Sequence, residues 1–376
     1  MYHGGNRGDV GTEASITIDN RNISVPEGVS ILAAADAAGI YVPRLCHHPA
    51  LPPGPGMKPD TQVFRHGVIE ADPDTHSGSY DGCNICIVEV EGTGLVQACA
   101  TLVVDGMVIH TDTPEAKQVR QDNCSRIVAN HPHACFLCAE SDGCDRQECT
   151  MGVDEDGRCC DKFDDCEFRM VCGHVSVRED VARYAFRNIP AVNTPFFTFD
   201  ANLCIGCTRC IRACESLQGK RVIGFTFHNG GLVVGTGAPS HRESGCAFCG
   251  ACVTVCPAGA LMEKDVVWKK KAELQLAPAV LPPKLIFELS KENTADVPET
   301  AGVFLFYDEK REIIYIAGTG TIRSALMEKW QSVGDARFFS FEEHGMYTMR
   351  ENELLEKYLN KHGKLPEVNN EIDDLY

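Results

Sequence analysis

The sequence predicts an α+β chain built from several small modules, and three observations carry that expectation. All 21 cysteines lie between Cys46 and Cys256, in three blocks, and the rest of the chain has none. A strand–strand–helix pattern precedes the first block, and the third block repeats one cysteine spacing twice. The cysteine-free tail offers two apolar strands and a glutamate-rich helix.

Such cysteine density in a short secreted chain would indicate a disulfide scaffold. At 376 residues this chain is too long for that class, and an odd cysteine count fits poorly with complete pairing. "MYHGGNRGDV" lacks the apolar stretch and cleavage site of a secretory signal,. No apolar run reaches membrane-spanning length,. A cytoplasmic, reducing location follows as the expectation, and there clustered thiolates hold metal. The net charge of −18 argues against nucleic acid or anionic membranes as partners,. Lys269, Lys270 and Lys271 read as a solvated face.

In the first block, "SITIDN" and "NISV" alternate apolar and polar residues around a turn at Asp19 and Asn20,. Ser30 is placed to cap the helix "ILAAADAAGI", which ends at Gly39,. Cys46 follows, then Cys83 and Cys86 in "GCNICIVEVEG" and Cys99 in "VQACA". This stretch, residues 14–110, resembles the β-grasp [2Fe–2S] domain of the large iron–sulfur subunit of respiratory complex I. The same domain occurs in bidirectional and iron-only hydrogenases and in NAD-linked formate dehydrogenases. The matching words are "VPEGVSILAAADAAGIYVPRLCHHP", "CNIC" and "VEVEG". The resemblance implies a [2Fe–2S] cluster on Cys46, Cys83, Cys86 and Cys99, since soft sulfur ligands suit iron. Zinc is the competing occupant of such a set. His47 and His48 are expected to cap the loop, because four cysteines already fill the positions. Roughly residues 53–80 are an insertion relative to that family. They read as a surface loop near the cluster, either a partner contact or an addition without a role.

The third block, residues 191–264, is the most specific. "CIGCTRCIRAC" places Cys204, Cys207, Cys210 and Cys214 at C-x2-C-x2-C-x3-C. "CAFCGACVTVCP" repeats it with Cys246, Cys249, Cys252 and Cys256. This is the bacterial two-cluster ferredoxin pattern, in which the fourth cysteine of each run ligates the other cluster. Cys204, Cys207, Cys210 and Cys256 are thus expected on one [4Fe–4S] cubane. Cys246, Cys249, Cys252 and Cys214 are expected on a second. Gly206, Gly250 and Ala251 leave room for backbone N–H groups near the sulfurs.

Residues 111–190 contain "HPHACFLC". It resembles the complex I and hydrogenase motif H-x3-C-x2-C-x5-C, which holds a [4Fe–4S] cluster on one histidine and three cysteines. His131, Cys135, Cys138 and Cys144 satisfy that spacing. The word after the family's last cysteine is matched better by "CEFRMV" at Cys166, and the reading leans to Cys166. If Cys166 is the ligand, Cys144, Cys149, Cys159 and Cys160 remain over. If Cys144 is, then Cys149, Cys159, Cys160 and Cys166 do. Either quartet suffices for an additional iron–sulfur cluster or a zinc ion; a redox thiol pair or buried apolar cysteines are the alternatives. Cys124 and Cys172 read as structural.

After a Pro-rich linker at 265–295 ("LQLAPAVLPPK"), residues 296–376 resemble a small α+β GIY-YIG-like nuclease fold. "GVFLF" and "IIYIAG" stand for its two signature strands, and Glu356 aligns with its metal-binding glutamate. The position of its catalytic arginine falls on Ala325, with Arg323 close by, and its second glycine is displaced to Gly318. Without that arginine, phosphodiester hydrolysis is not expected. The tail reads as a degenerate fold reused for assembly.

Together the modules imply one [2Fe–2S] and three [4Fe–4S] clusters in an electron-transfer subunit of a hetero-oligomeric NAD(P)H-linked oxidoreductase. Hydrogenase, formate dehydrogenase and electron-bifurcating reductase are the candidate complexes. The resemblance implies a flavoprotein partner that oxidises NADH and a second, catalytic or electron-accepting redox subunit. The sequence carries no Gly-rich dinucleotide fingerprint and no catalytic terminus of its own. The rival class is an iron–sulfur-regulated nucleic-acid-binding protein using the tail.

Overall fold

The computed structural model describes residues 13–72, 78–136, 138, 149, 152–154, 158–162, 165–178, 180–182, 184, 187–228, 231–283, 286–295 and 297–370. The chain forms two units. One runs to Ala134 and resumes from Glu155 to Pro282; the other comprises Cys135–Asp154 and Pro283–Tyr376.

In the first unit, β1 (Glu13–Ile18) and β2 (Arg21–Pro26) form a hairpin. Its turn residues Asp19 and Asn20 have φ of 46° and 66°, the double left-handed geometry that suits strand twist. Ser30 caps α1 (Ile31–Ala37) by accepting from the Ala33 amide at 3.1 Å,. The chain then forms β3 (Gln62–Arg65), β4 (Val68–Ala71), β5 (Ile87–Val90), β6 (Gly94–Gln97) and β7 (Val108–His110). The order β2-β1-β7-β5-β6 makes a five-stranded sheet with β1 and β7 parallel. Ile16, Ile18, Leu32, Val88 and Ile109 fill its core against α1. Thr113 and Pro114 then start α2 (Pro114–Ala129), which delivers the chain to His131,.

Next come α3 (Glu167–Val175), β8 (Val192–Asn193), β9 (Phe197–Phe199) and α4 (Arg209–Gln218). They are followed by β10 (Ile223–His228), β11 (Gly231–Thr236), α5 (Ala251–Thr254), β12 (Leu261–Glu263) and α6 (Lys269–Ala272). β12, β9 and β8 form a small sheet. The inserted segment at 53–80 is more ordered than the loop expected from sequence. Its hairpin β3–β4 leaves the first sheet and extends β10–β11, giving the order β10-β11-β3-β4. Phe64 pairs with Thr236, and Asp60 exchanges bonds with Phe225 at 2.7 and 3.0 Å. Two glycines permit this approach. A Cβ on Gly235 would lie 2.5 Å from the Phe64 carbonyl, and one on Gly224 would lie 2.2 Å from the Asp60 carboxylate.

The second unit contains β13 (Phe287–Glu288), α7 (Lys291–Ala295), β14 (Gly302–Tyr307), β15 (Ile313–Thr319) and α8 (Ile322–Trp330). β16 (Phe338–Glu343), α9 (Tyr347–His362) and α10 (Glu367–Asn370) complete it. The antiparallel order is β13-β16-β14-β15. β14 is buried throughout because both of its faces are covered. Phe304 and Phe306 pack with Ile322 and Leu326, whereas Val303, Leu305 and Tyr307 pack with Leu354 and Tyr358,. Glu356 is exposed on α9; Glu351 lies against Gly318 instead. Among the described residues, no helix is long and apolar enough to cross a membrane.

Candidate metal centres

Cys46, Cys86 and Cys99 are buried and Cys83 is half-buried at one end of the five-stranded sheet. Their thiols meet: Cys46 is hydrogen-bonded to Cys83 and Cys99, and Cys86 to Cys99. The Cys46 amide also points at the Cys83 sulfur, 3.4 Å away. Crowding splits their acidities. Hydrogen bonds from Cys83 and Cys99 hold Cys46 well below the usual thiol range, while the same bonds together with burial push Cys83 and Cys99 up. Four such thiols ionise together only when a positive group sits among them, as iron does. Asn84, between Cys83 and Cys86, has φ of 56°, and its carbonyl accepts from Asn123 of α2 at 3.1 Å. That bond anchors the ligand loop to the next module.

The two repeated runs bring their cysteines together as two groups. Cys204, Cys207 and Cys210 each feel the charge of Cys256, which lies in the other run. Cys246 and Cys252 each feel Cys214, again from the other run. Burial raises Cys204, pushes Cys207 up to about 12, and raises Cys210 and Cys252. Local backbone geometry produces the arrangement. Thr208 (φ 58°) and Gly250 (φ 87°) hold left-handed backbone immediately before α4 and α5, and these turns bend each run around its centre. Gly206 (φ 66°) supplies an amide to the Cys204 sulfur, in keeping with the small residue expected there.

His131 is 2% exposed, and burial lowers it to about 4, so its ring is neutral. Its Nδ1 is 2.7 Å from the Pro132 carbonyl. That contact fixes the proton on Nδ1 and directs the lone pair to Nε2, the tautomer a metal ligand requires. The ring stands edge-on to Phe168, two residues beyond Cys166, with centroids 5.0 Å apart. Cys159 reaches the same Pro132 carbonyl at 3.7 Å, and Cys166 feels the charge of Cys160. Burial pushes Cys166 up to about 11. Cys135, Cys138 and Cys149 belong to the other unit, and Cys144 lies outside the described residues. Cys124 and Cys172, read from sequence as structural, bring their sulfurs within 2.9 Å between α2 and α3.

Sequence reasoning missed the arginines of this region. Arg209 and Arg212 look like solvated helix residues, yet each is 1% exposed. The signal was their position inside a cysteine run, where anionic ligands call for compensating charge. Among the described residues no three His, Cys, Asp or Glu side chains converge to chelate a single ion. A cluster of several irons has its thiols spread around it instead, and the all-sulfur donor sets, buried or half-buried, fit that kind of group,.

Residues 203–260 match the family model of the 4Fe-4S dicluster domain, and residues 11–54 and 60–114 match that of the 2Fe-2S iron-sulfur cluster binding domain. The chain is 31% identical over 257 residues to the G 2 subunit of the NADH-quinone oxidoreductase of Rhizobium meliloti, a match covering 68% of this chain and 25% of that one. It is 27% identical to the 78 kDa subunit of the NADH-ubiquinone oxidoreductase of Candida albicans, covering 77% and 32%. It is 29% identical to the NADP-reducing hydrogenase subunit HndD of Solidesulfovibrio fructosivorans, covering 71% and 40%. The matched part is thus between a quarter and two fifths of each relative's length. The chain carries 2Fe–2S and 4Fe–4S ferredoxin-like domains of mixed α/β content, and its homologues are subunits of NAD(P)-linked oxidoreductases.

Proposed function

From these two kinds of iron–sulfur domain, we propose that the chain is an electron-transfer subunit of an NAD(P)H-linked oxidoreductase complex. It relays electrons between a flavoprotein that oxidises NADH and a second redox subunit, in a hydrogenase, formate dehydrogenase or electron-bifurcating reductase. The observation that carries this reading is a shared core. Cys46 and Cys83 pack in the same apolar cluster as cysteines of both repeated runs, so the centres they would hold are neighbours.

Bound iron–sulfur clusters supply one-electron carriers. The chain's own residues do the rest. Cys46, Cys83, Cys86 and Cys99 hold a [2Fe–2S] group. Cys204, Cys207, Cys210 and Cys256 hold one cubane, and Cys246, Cys249, Cys252 and Cys214 another. By the resemblance of its motif, the stretch that begins at His131 would hold a third cubane, completed by Cys166 or by Cys144. Phe197, Phe225 and Trp268 keep water out of the shared core, which lowers the rearrangement that each electron demands. A cytoplasmic, reducing compartment suits so many thiols.

Iron and acid-labile sulfide on anaerobically purified protein test the reading. About 14 iron atoms per chain are expected from one [2Fe–2S] and three cubanes. A total near 18 would add a further cubane on the remaining cysteines, and iron far below about 14 in intact protein would overturn the relay. Purification of the native complex should bring a flavoprotein with it.

A further inference from the structure

One side chain that is no ligand joins two of the cysteine sets. Arg212 lies on α4 between Cys210 and Cys214 and is 1% exposed. Its guanidinium donates to the carbonyl of Cys46, to that of Cys207 at 3.3 Å, and to that of Pro52 at 2.6 Å. Cys46 belongs to the first set and Cys207 to the second. Every described bond of this arginine goes to a backbone carbonyl, and its Nε is buried without a hydrogen-bond partner. Among the described residues no carboxylate is bonded to this charge, which therefore faces the two sets.

The inserted segment covers this charge. A Cβ on Gly54 would stand 3.4 Å from Arg212 Cζ and 3.2 Å from Tyr80 Cε1, so Gly54, Tyr80 and Arg212 are in close packing. Tyr80 is itself buried and belongs to the same core as Cys46 and Ile211. Downstream of Gly54, β3 and β4 fasten the segment to β11.

We propose that Arg212 is a positive charge shared by the [2Fe–2S] centre and the adjacent cubane. It raises the reduction potential of both, and the inserted segment at 53–80 serves to keep water from it. Reduction adds negative charge to a site already ringed by thiolates, and a fixed cation in a dry interior opposes that cost. Water admitted beside the guanidinium would screen it. Because one charge serves both centres, their potentials move together and the driving force between them is preserved. This inference rests on the reading of Cys46 and Cys207 as cluster ligands.

The test is a potentiometric titration followed by EPR on the anaerobically loaded full chain, with iron counted in each sample. In Arg212→Gln, the reduced-to-oxidised ratio of both centres at a fixed potential should fall about tenfold, about 59 mV for a one-electron couple. The cubane on Cys214, Cys246, Cys249 and Cys252 should move much less. Tyr80→Ala, which leaves the arginine in place and admits water, should shift the potentials of the same two centres together. Should Arg212→Gln fail to load iron, Tyr80→Ala decides alone. Unchanged potentials at full iron content, or movement of one centre only, would overturn the proposal. Wild-type protein without the expected iron would instead overturn the relay reading beneath it.

Discussion

The guanidinium of Arg209 grips the carboxylate of Glu167 through two hydrogen bonds of 2.7 and 2.6 Å, with both side chains buried. The same guanidinium donates to the carbonyl of His47 at 2.6 Å and of Val255 at 3.4 Å. Each partner adjoins a different cysteine: Cys46, Cys166 or Cys256. Arg209 itself stands between Cys207 and Cys210. One residue thus ties all three cysteine blocks of the first unit together.

Glu167→Ala should be severely destabilising, because it leaves a buried guanidinium without its counter-charge. A loss of about 3–5 kcal/mol is expected. The double variant Arg209→Met, Glu167→Leu should lose much less. Anaerobic thermal melting of wild type, Arg209→Met, Glu167→Leu and the double variant, treated as a double-mutant cycle, measures the coupling; additive losses would contradict it.

Gly235→Ala should detach the inserted hairpin, since its Cβ would sit 2.5 Å from the Phe64 carbonyl and 2.9 Å from the Val63 side chain. The strain is worth about 1–3 kcal/mol. Limited proteolysis should then cut within residues 53–80 several times faster than in the wild type, with iron content retained.

His131→Ala and Cys166→Ser should each lower the iron content by about four atoms, the complement of one cubane. Cys144→Ser should leave it unchanged. Loss of iron in Cys144→Ser but not in Cys166→Ser would move the ligand to Cys144.

The buried ring of His241 stands edge-on to Phe197 with centroids 5.2 Å apart. It helps line an apolar cavity of about 70 Å³ with Phe64, Phe199 and Val234. Burial lowers it to about 4, against an ordinary 6.5. The unfolded chain therefore takes up this proton at higher pH than the folded one. The histidine's contribution is fully present above pH 6.5, is lost as the pH falls toward 4, and does not change further below that. The loss approaches about 3 kcal/mol. Denaturant melts of His241→Phe against wild type at pH 7 and pH 5 should show a shallower acid loss in the variant.

The ferredoxin runs were legible because their ligands are local: C-x2-C spacing encodes the turn that Thr208 and Gly250 make. The cap at Ser30 is local too. What escaped was long-range. Nothing near Asp60 or Phe64 announces a partner more than 160 residues away at Phe225 and Thr236. The burial of Arg209 and Arg212 escaped as well, because helical arginines are usually solvated and only the packing of the modules buries them. In the tail, the sequence pattern points to Glu356, whereas the glutamate set against Gly318 is Glu351, one helical turn earlier plus one residue.

The pairing of Phe64 with Thr236 has a consequence for biosynthesis. The hairpin leaves the ribosome well before the strand that receives it, since the two residues are 172 positions apart. At about 5–20 residues per second the wait is on the order of ten to thirty seconds. Throughout that interval the Cys46 loop lacks its final neighbours and β3 keeps an unsatisfied edge. Insertion of the first metal group is therefore expected to follow the synthesis of β11, or to require a chaperone until then.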